Sequence, residues 1–201
     1  MGRGAQNRTR KVQFVHDQTR YGAAMISRWT IRRVHRVDDA TLTGLTEVLI
    51  DCVESGASVS FMNPFTRERA EAFWRRVADG VERDERALLI AEDAEGVCGT
   101  VQLILDLPEN QPHRADLAKM LVHRRARRRG LGEALMRAAE EMALACGRTV
   151  LVLDAVTDGD AARLYARLGW IRVGDVPRFA LYPDGRFCGT TYFYRDLDRR
   201  S

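Results

Sequence analysis

Lysine is nearly absent from this sequence: of 32 basic residues 30 are arginine, and only Lys11 and Lys119 are lysine. So uniform a bias reads as genomic composition and carries little functional weight. Cysteine is sparse as well. Cys52, Cys98, Cys146 and Cys188 form no CxxC pair, and the two nearest stand 42 positions apart, which excludes a zinc knuckle and a small disulfide scaffold. The four histidines, His16, His35, His113 and His123, never fall four apart, and no acidic cluster joins them. No metal is therefore expected. No apolar run approaches the roughly 20 residues of a membrane span, and the first residues lack the apolar stretch of a signal peptide. The expectation is a protein with no membrane contact and a cytoplasmic location.

What is present is enough for one substantial core: 201 residues, of which 45% are apolar. The formal charge of +4 sits in one place, because residues 1–24 carry five basic side chains against one acidic and the remainder is neutral. That segment is polar and lacks apolar periodicity. It reads as a disordered basic extension over residues 1–27, followed by a single domain over 28–198.

Along the domain, residues 29–37 alternate apolar and polar as a half-exposed strand does. Asp38 or Asp39 caps a helix whose apolar residues Leu42, Leu45, Val48, Leu49, Cys52 and Val53 recur at three and four, and Gly56 ends it. Pro64 and Thr66 open a second helix that Gly80 closes. Two strands then pair around the Glu95-Gly96 turn. A further strand, ADLAKMLVH, leads into a strong helix from Leu131, with Glu133 and Arg137 placed for an i, i+4 pair. TVLVLDAV is almost wholly apolar and reads as a strand buried on both faces. Asp158 is placed to N-cap a helix running to Leu168, and two last strands follow around Pro183-Asp184-Gly185. This order predicts an α/β (α+β) chain, a mixed sheet flanked by helices.

The junction HRRARRRGLGEALM sets Arg127, Arg128, Arg129, Gly130, Leu131 and Gly132 between a strand and the first turn of a helix. Glycines let the backbone approach a ligand, the first helical N–H groups lack internal partners, and the dipole adds partial positive charge. Such a loop suits a pyrophosphate, and arginines beside it add charge-assisted hydrogen bonds. A solvated basic helix start is the alternative. It is neither GxxxxGK[ST] nor GxGxxG, since position 135 is Leu. The Arg124 to Arg129 run lacks the aromatic interleaving used for base stacking, so no nucleic acid is expected.

Residues 127–132 resemble the R/Q-x-x-G-x-G/A loop of the GNAT family of N-acetyltransferases, and the resemblance extends over residues 29–197. Residues 56–62, 114–136, 151–170 and 172–187 are similar in particular to acetyltransferases of the tabtoxin-resistance type. The resemblance implies the GNAT fold, a mostly antiparallel sheet of about seven strands flanked by about four helices. It also implies acetyl-CoA as co-substrate. Lys119, Met120, Leu121 and Val122, in the strand ADLAKMLVH, would offer backbone hydrogen bonds to the acetyl carbonyl and pantetheine, and residues 127–132 would cradle the pyrophosphate.

Transfer of an acetyl group to an amine needs a neutral nucleophile, a stabilised oxyanion and a proton for the departing thiolate. Tyr165 stands where many relatives keep a tyrosine near the sulfur and is assigned as general acid; the alternative is a core tyrosine on the apolar helix face. Asp154 ends an apolar strand, where a carboxylate is costly unless paired or useful. The resemblance gives it a substrate-side role, receiving a proton or holding a cationic amine. Ser58, Ser60 and Phe61 follow the first helix and would form one wall of the acceptor site, although the serines could equally cap loops and the ring could be core. The implied acceptor is a primary amine on a small molecule, an amino-acid-like toxin or antibiotic being one such. The alternatives are a protein or peptide acceptor and a non-catalytic acetyl-CoA sensor. Tyr192, Phe193 and Tyr194 near the C-terminus would suit either a homodimer edge or internal packing.

Overall fold

The computed structural model describes residues 13–14 and 29–198. The basic extension expected over 1–27 lies outside these residues except for β1 (Gln13–Phe14), which pairs antiparallel with Ile31 and Arg32. The domain continues as β2 (Thr30–Val34), α1 (Asp39–Glu54), α2 (Arg67–Glu82), β3 (Arg86–Asp93), β4 (Gly96–Ile104) and β5 (Arg114–Val122). A 3-10 turn (Arg124–Ala126), α3 (Leu131–Ala145), β6 (Val150–Val156), α4 (Asp160–Arg167), β7 (Ile171–Leu181) and β8 (Phe187–Asp196) complete it.

One sheet holds all the strands in the order β1-β2-β3-β4-β5-β6-β8-β7. The run ALLIA in β3 is apolar throughout because both of its faces are covered. Leu88 and Ile90 meet Leu45, Leu49 and Trp74 of the α1/α2 layer, while Leu89 and Ala91 meet the opposite core with Leu135, Met136 and Phe193. Capping follows the sequence at two helices: Asp38 Oδ1 accepts from Thr41 N at 2.8 Å, and Thr66 Oγ1 from Arg69 N at 3.4 Å.

Four local expectations are corrected, and one open alternative is decided. α2 runs past Gly80 to Glu82, because a Cβ at Gly80 would lie 2.9 Å from Arg86 Cδ; the glycine makes room for that stem and does not end the helix. Asp158 has φ +60° and does not cap α4, whose N-cap is Gly159. Arg137 pairs with Glu140 at 3.3 Å, three positions along, and not with Glu133. β6 is buried on one face only: Leu151 and Leu153 enter the core beneath α3 and α4, whereas Asp154 is exposed. The reason is that α1 and α2 pack over β3, β4 and β5, leaving the same side of β6 open. Finally, β8 lies between β6 and β7, so Tyr192 to Tyr194 are on an internal strand and the free edge belongs to β7.

Two features of β5 position the site. Its pairing with β6, the sheet's parallel contact, consists of Arg114, Ala115 and Asp116 opposite Val150, Leu151 and Val152 and stops there. Beyond this point β5 keeps its bonds to β4 alone and the two strands splay apart. Within the splayed part, Thr100 faces Leu121 but Gln102 faces Ala118. Val101 is thus opposed by both Lys119 and Met120, a β-bulge, and Lys119 takes φ +50°.

Candidate active site

The splay gives β5 an edge whose backbone groups on the β6 side have no strand partner, over the stretch that includes Met120, Leu121 and Val122. An extended amide-bearing ligand can pair with such an edge as a further strand would. The Val122 carbonyl is already engaged, accepting from Arg127 Nε at 2.9 Å.

At the end of this edge the chain turns into α3. Arg128 (φ +58°) and Gly130 (φ +87°) both lie in the left-handed region, and Gly130 is the N-cap without any side-chain hydrogen bond to the first turn. The leading N–H groups of α3 therefore face outward, and a Cβ on Gly130 would meet nothing within 4 Å. Exposed N–H groups, the helix dipole and open space together fit a pyrophosphate. The two glycines act differently. Gly132 has α4 against it, since a Cβ there would lie 3.2 Å from Leu164 Cδ2. The three arginines differ as well. Arg128 and Arg129 are exposed, with no side-chain hydrogen bond or ion pair among the described residues. The Arg127 guanidinium turns back into the protein, to Val122 O, to Ser55 Oγ at 3.0 Å and toward Asp51 at 3.6 Å.

Asp51, buried near the end of α1, is the anchor of this loop, and no sequence pattern points to it. Its carboxylate accepts from Arg124 N at 2.8 Å and from Arg124 Nε, with His123 Nε2 at 3.7 Å. Partners that lie more than 70 positions away in sequence carry no local pattern.

Asp154 and Tyr165 lie on opposite faces of β6, Asp154 exposed and Tyr165 in the core with Leu151 and Leu153, as the core-tyrosine alternative expects. Asp154 Oδ2 accepts from Thr190 Oγ1 of β8 at 2.8 Å. Tyr165, on the inner face of α4, is only 4% exposed and packs against Trp170 and Phe193 with ring centroids 6.0 and 5.9 Å away. Burial pushes its phenol pKa well up, and the negative charge of Asp154 adds to the shift. The phenol therefore holds its proton throughout the neutral range, and the Asp154 charge is close enough to be felt there.

Lys119, expected only as a backbone contact, also brings its side chain to the site. From the bulge its ammonium donates to Ser60 Oγ at 3.1 Å and lies 5.7 Å from the centroid of the Phe73 ring. Burial lowers its pKa, which Asp154 opposes and Arg86 reinforces. The one signal of this side chain in the sequence is its rarity among the arginines.

The connection between α1 and α2 closes the acceptor side of the cleft. Ser58 Oγ donates to Leu181 O at 2.8 Å, and Asn63 N donates to Pro183 O at 3.1 Å, so the segment is tied to the β7–β8 hairpin. Ser60 meets Lys119, and Phe61 packs on Phe65 and Phe73 with centroids 4.5 and 5.3 Å away. Among the described residues no group of His, Cys, Asp or Glu could hold a metal ion, and no helix is long and apolar enough to cross a membrane.

The family model for the acetyltransferase (GNAT) family matches residues 52–170, which include the bulged strand, the loop, Asp154 and Tyr165. An uncharacterized N-acetyltransferase encoded in the hisH-hisA intergenic region of Azospirillum brasilense is 32% identical over 127 residues, covering 62% of this chain and 74% of that protein. The fold is similar to that of yncA from Salmonella typhimurium, an acetyltransferase solved with its cofactor acetyl-CoA. The TM-score is 0.70 at 21% identity, over 87% of this chain and 97% of that one. It is also similar to ribosomal-protein-alanine N-acetyltransferase from Brucella melitensis, with a TM-score of 0.69 at 23% identity, over 83% and 99%. A family match over more than half of the chain, reaching through the splayed strands and the phosphate-type loop, makes this protein a member of the GNAT acetyltransferase family.

Proposed function

We propose that the protein moves the acetyl group of acetyl-CoA onto the primary amine of a small molecule by direct attack, with Tyr165 as general acid and Asp154 on the acceptor side. The observation that supports this reading best is the unpaired edge of β5 running into the open start of α3, with the exposed Asp154 across the splay. The amine nitrogen attacks the thioester carbonyl, and the carbonyl electron pair moves to oxygen and returns as the C–S bond breaks. The CoA thiolate takes the Tyr165 proton, and the proton lost by nitrogen passes to Asp154 directly or through water. The backbone edge at Met120 and Leu121 faces the reacting carbonyl, while Arg128, Arg129 and the N–H groups from Gly130 to Gly132 hold the pyrophosphate.

A small acceptor is favoured over a protein chain end because the α1–α2 connection is fastened to the β7–β8 hairpin through Ser58 and Asn63, which narrows the groove a polypeptide would need. The resemblance to enzymes of the tabtoxin-resistance type supports the same choice and extends it to amino-acid-like toxins or antibiotics. A sensor would have both Tyr165 and Asp154 in the core; the ring of Tyr165 is there, and the exposed Asp154 is what favours turnover. A homodimer would pair through the free edge of β7, and light scattering tests it. The deciding experiment is calorimetric binding of acetyl-CoA followed by thiol release against amino acids, polyamines and peptides. Release with a small amine upholds the proposal, release with peptides alone overturns the small acceptor, and binding without release leaves a sensor.

A further inference from the structure

Within the described domain the chain solves every need for a cation with arginine except at position 119. This lysine sits in a bulge and holds φ +50°, a conformation that costs a side-chain-bearing residue about 1 kcal/mol or more and persists where the surroundings enforce it. The bulge has a definite effect. It adds one residue to β5, so the alternation of side chains slips and Lys119 is delivered to the α1/α2 face beside Ser60 and Phe73. That face is where the acceptor side of the splay opens.

The charges around it are not matched. An ammonium has three donors; here one goes to Ser60 Oγ, and Lys119 makes no ion pair among the described residues. Arg86, whose charge also reaches Lys119, spends one hydrogen bond on Gln102 at 2.8 Å. On the opposite strand Asp154 has one oxygen occupied by Thr190. Lys119 is the third residue of β5, and Asp154 the second residue of β6, beyond the last paired rung, Asp116 with Val152. A partly desolvated cation and a carboxylate thus stand on the two sides of the splay, each sensing the other without contact. The ligand complementary to that arrangement is a dipolar ion of reversed polarity.

We infer that Lys119 binds an anionic group of the acceptor, so that the acceptor is an amino acid or a close analogue held with its carboxylate at Lys119 and its amine at Asp154. The inference rests on the small-amine reading above and narrows it. Lysine suits the task better than arginine here, because its compact ammonium leaves room between Ser60 and Phe73 that a planar guanidinium would fill.

The test is thiol release by the wild-type protein with L-amino acids supplied as free acids and as methyl esters, alongside calorimetry with acetyl-CoA. The wild type is expected to prefer acids over esters in kcat/KM by about 10- to 100-fold, expressed in KM, as for a site built around a charge that the poorer ligand leaves unpaired. Lys119→Gln should bring that ratio close to one, and Lys119→Arg should restore part of it. Esters turned over as well as acids by the wild type, or a preference that survives in Lys119→Gln, would overturn the inference while leaving the N-acetyltransferase reading intact. Acetyl-CoA bound with no acid or ester turned over overturns the inference, and if polyamines are inert as well it overturns the small-amine reading too. The wild-type ratio requires no variant to fold.

Discussion

The hydroxyl proton of Tyr165 is held by its surroundings, with Trp170 and Phe193 around the ring and the charge of Asp154 nearby. Replacing it with Phe keeps the packing and removes the proton, so kcat should fall about 100-fold, the usual size of a general-acid contribution, with the Kd of acetyl-CoA little changed. A stopped thiol assay with saturating acceptor measures the first and calorimetry the second. The same burial fixes a dependence of stability on pH. The folded pKa is raised above the unfolded value of about 10, so the neutral phenol contributes fully below that pH and its contribution is lost as the pH rises toward the folded value. Urea unfolding between pH 9 and 11 should show a falling midpoint in the wild type and a shallower fall in Tyr165→Phe; equal slopes would mean that the ring is not the responsible group. Asp154→Asn keeps an acceptor for Thr190 and loses the charge, so kcat/KM should drop about 100-fold without loss of stability. The placement of both was readable, Tyr165 on the apolar face of its helix and Asp154 at the end of an apolar strand, while the roles proposed for them come from the resemblance. The side chain of Lys119 was not placed, because period-two reading assigns sides only while the register is unbroken, and the bulge breaks it at that residue.

The junction between β5 and α3 is held from one side by α1 through Asp51 and is open on the other to the solvent. Its two sides should fail differently. Gly130→Asp places a side chain in open space at φ +87° and a negative charge before the first N–H groups of α3. The fold should survive, as circular dichroism would show, while the heat of acetyl-CoA binding vanishes; unchanged binding would refute the assignment of the loop. Asp51→Ala removes the acceptor for Arg124 N and the partner of its guanidinium. A charge-assisted pair of this kind contributes about 2 kcal/mol, so the thermal midpoint should fall by roughly 4–8 °C. The helix start at Leu131 was readable because Gly130 and the apolar spacing are local signals. The anchor was not, since α1 and the loop meet only after the sheet has formed. Asp158 failed as a cap for a related reason: its backbone is left-handed, which places the cap one residue later.

On the scale of the whole molecule the sheet is two pieces joined through a narrow seam. β1 to β5 carry α1, α2 and α3, and β6 to β8 carry α4; between them run three paired rungs of β5 and β6, the contact of Gly132 with Leu164 and the ties of Ser58 and Asn63 to the β7–β8 hairpin. Glu140 of α3 strengthens the seam, accepting from Trp170 Nε1 at 3.0 Å with Arg195 Nε at 3.5 Å. None of this could be read from periodicity, which yields elements but not the place where two strands stop pairing; the resemblance supplied the sheet, and the register supplied the gap. A ligand that lies along the β5 edge and reaches α4 spans both pieces, so it should resist their separation as well as add its own binding energy. At 100 times its Kd, acetyl-CoA stabilises by about 2.7 kcal/mol if it binds the folded state alone, which corresponds to a rise of roughly 5–10 °C in the midpoint for a domain of this size. Hydrogen exchange then locates the effect. Added protection is expected both in β5 with the start of α3 and in β6 with α4, because opening the seam would require releasing the ligand from one side. Protection confined to β5 and α3 would mean that the ligand rests on one piece only, and the approach of Tyr165 to the thioester would then have no support.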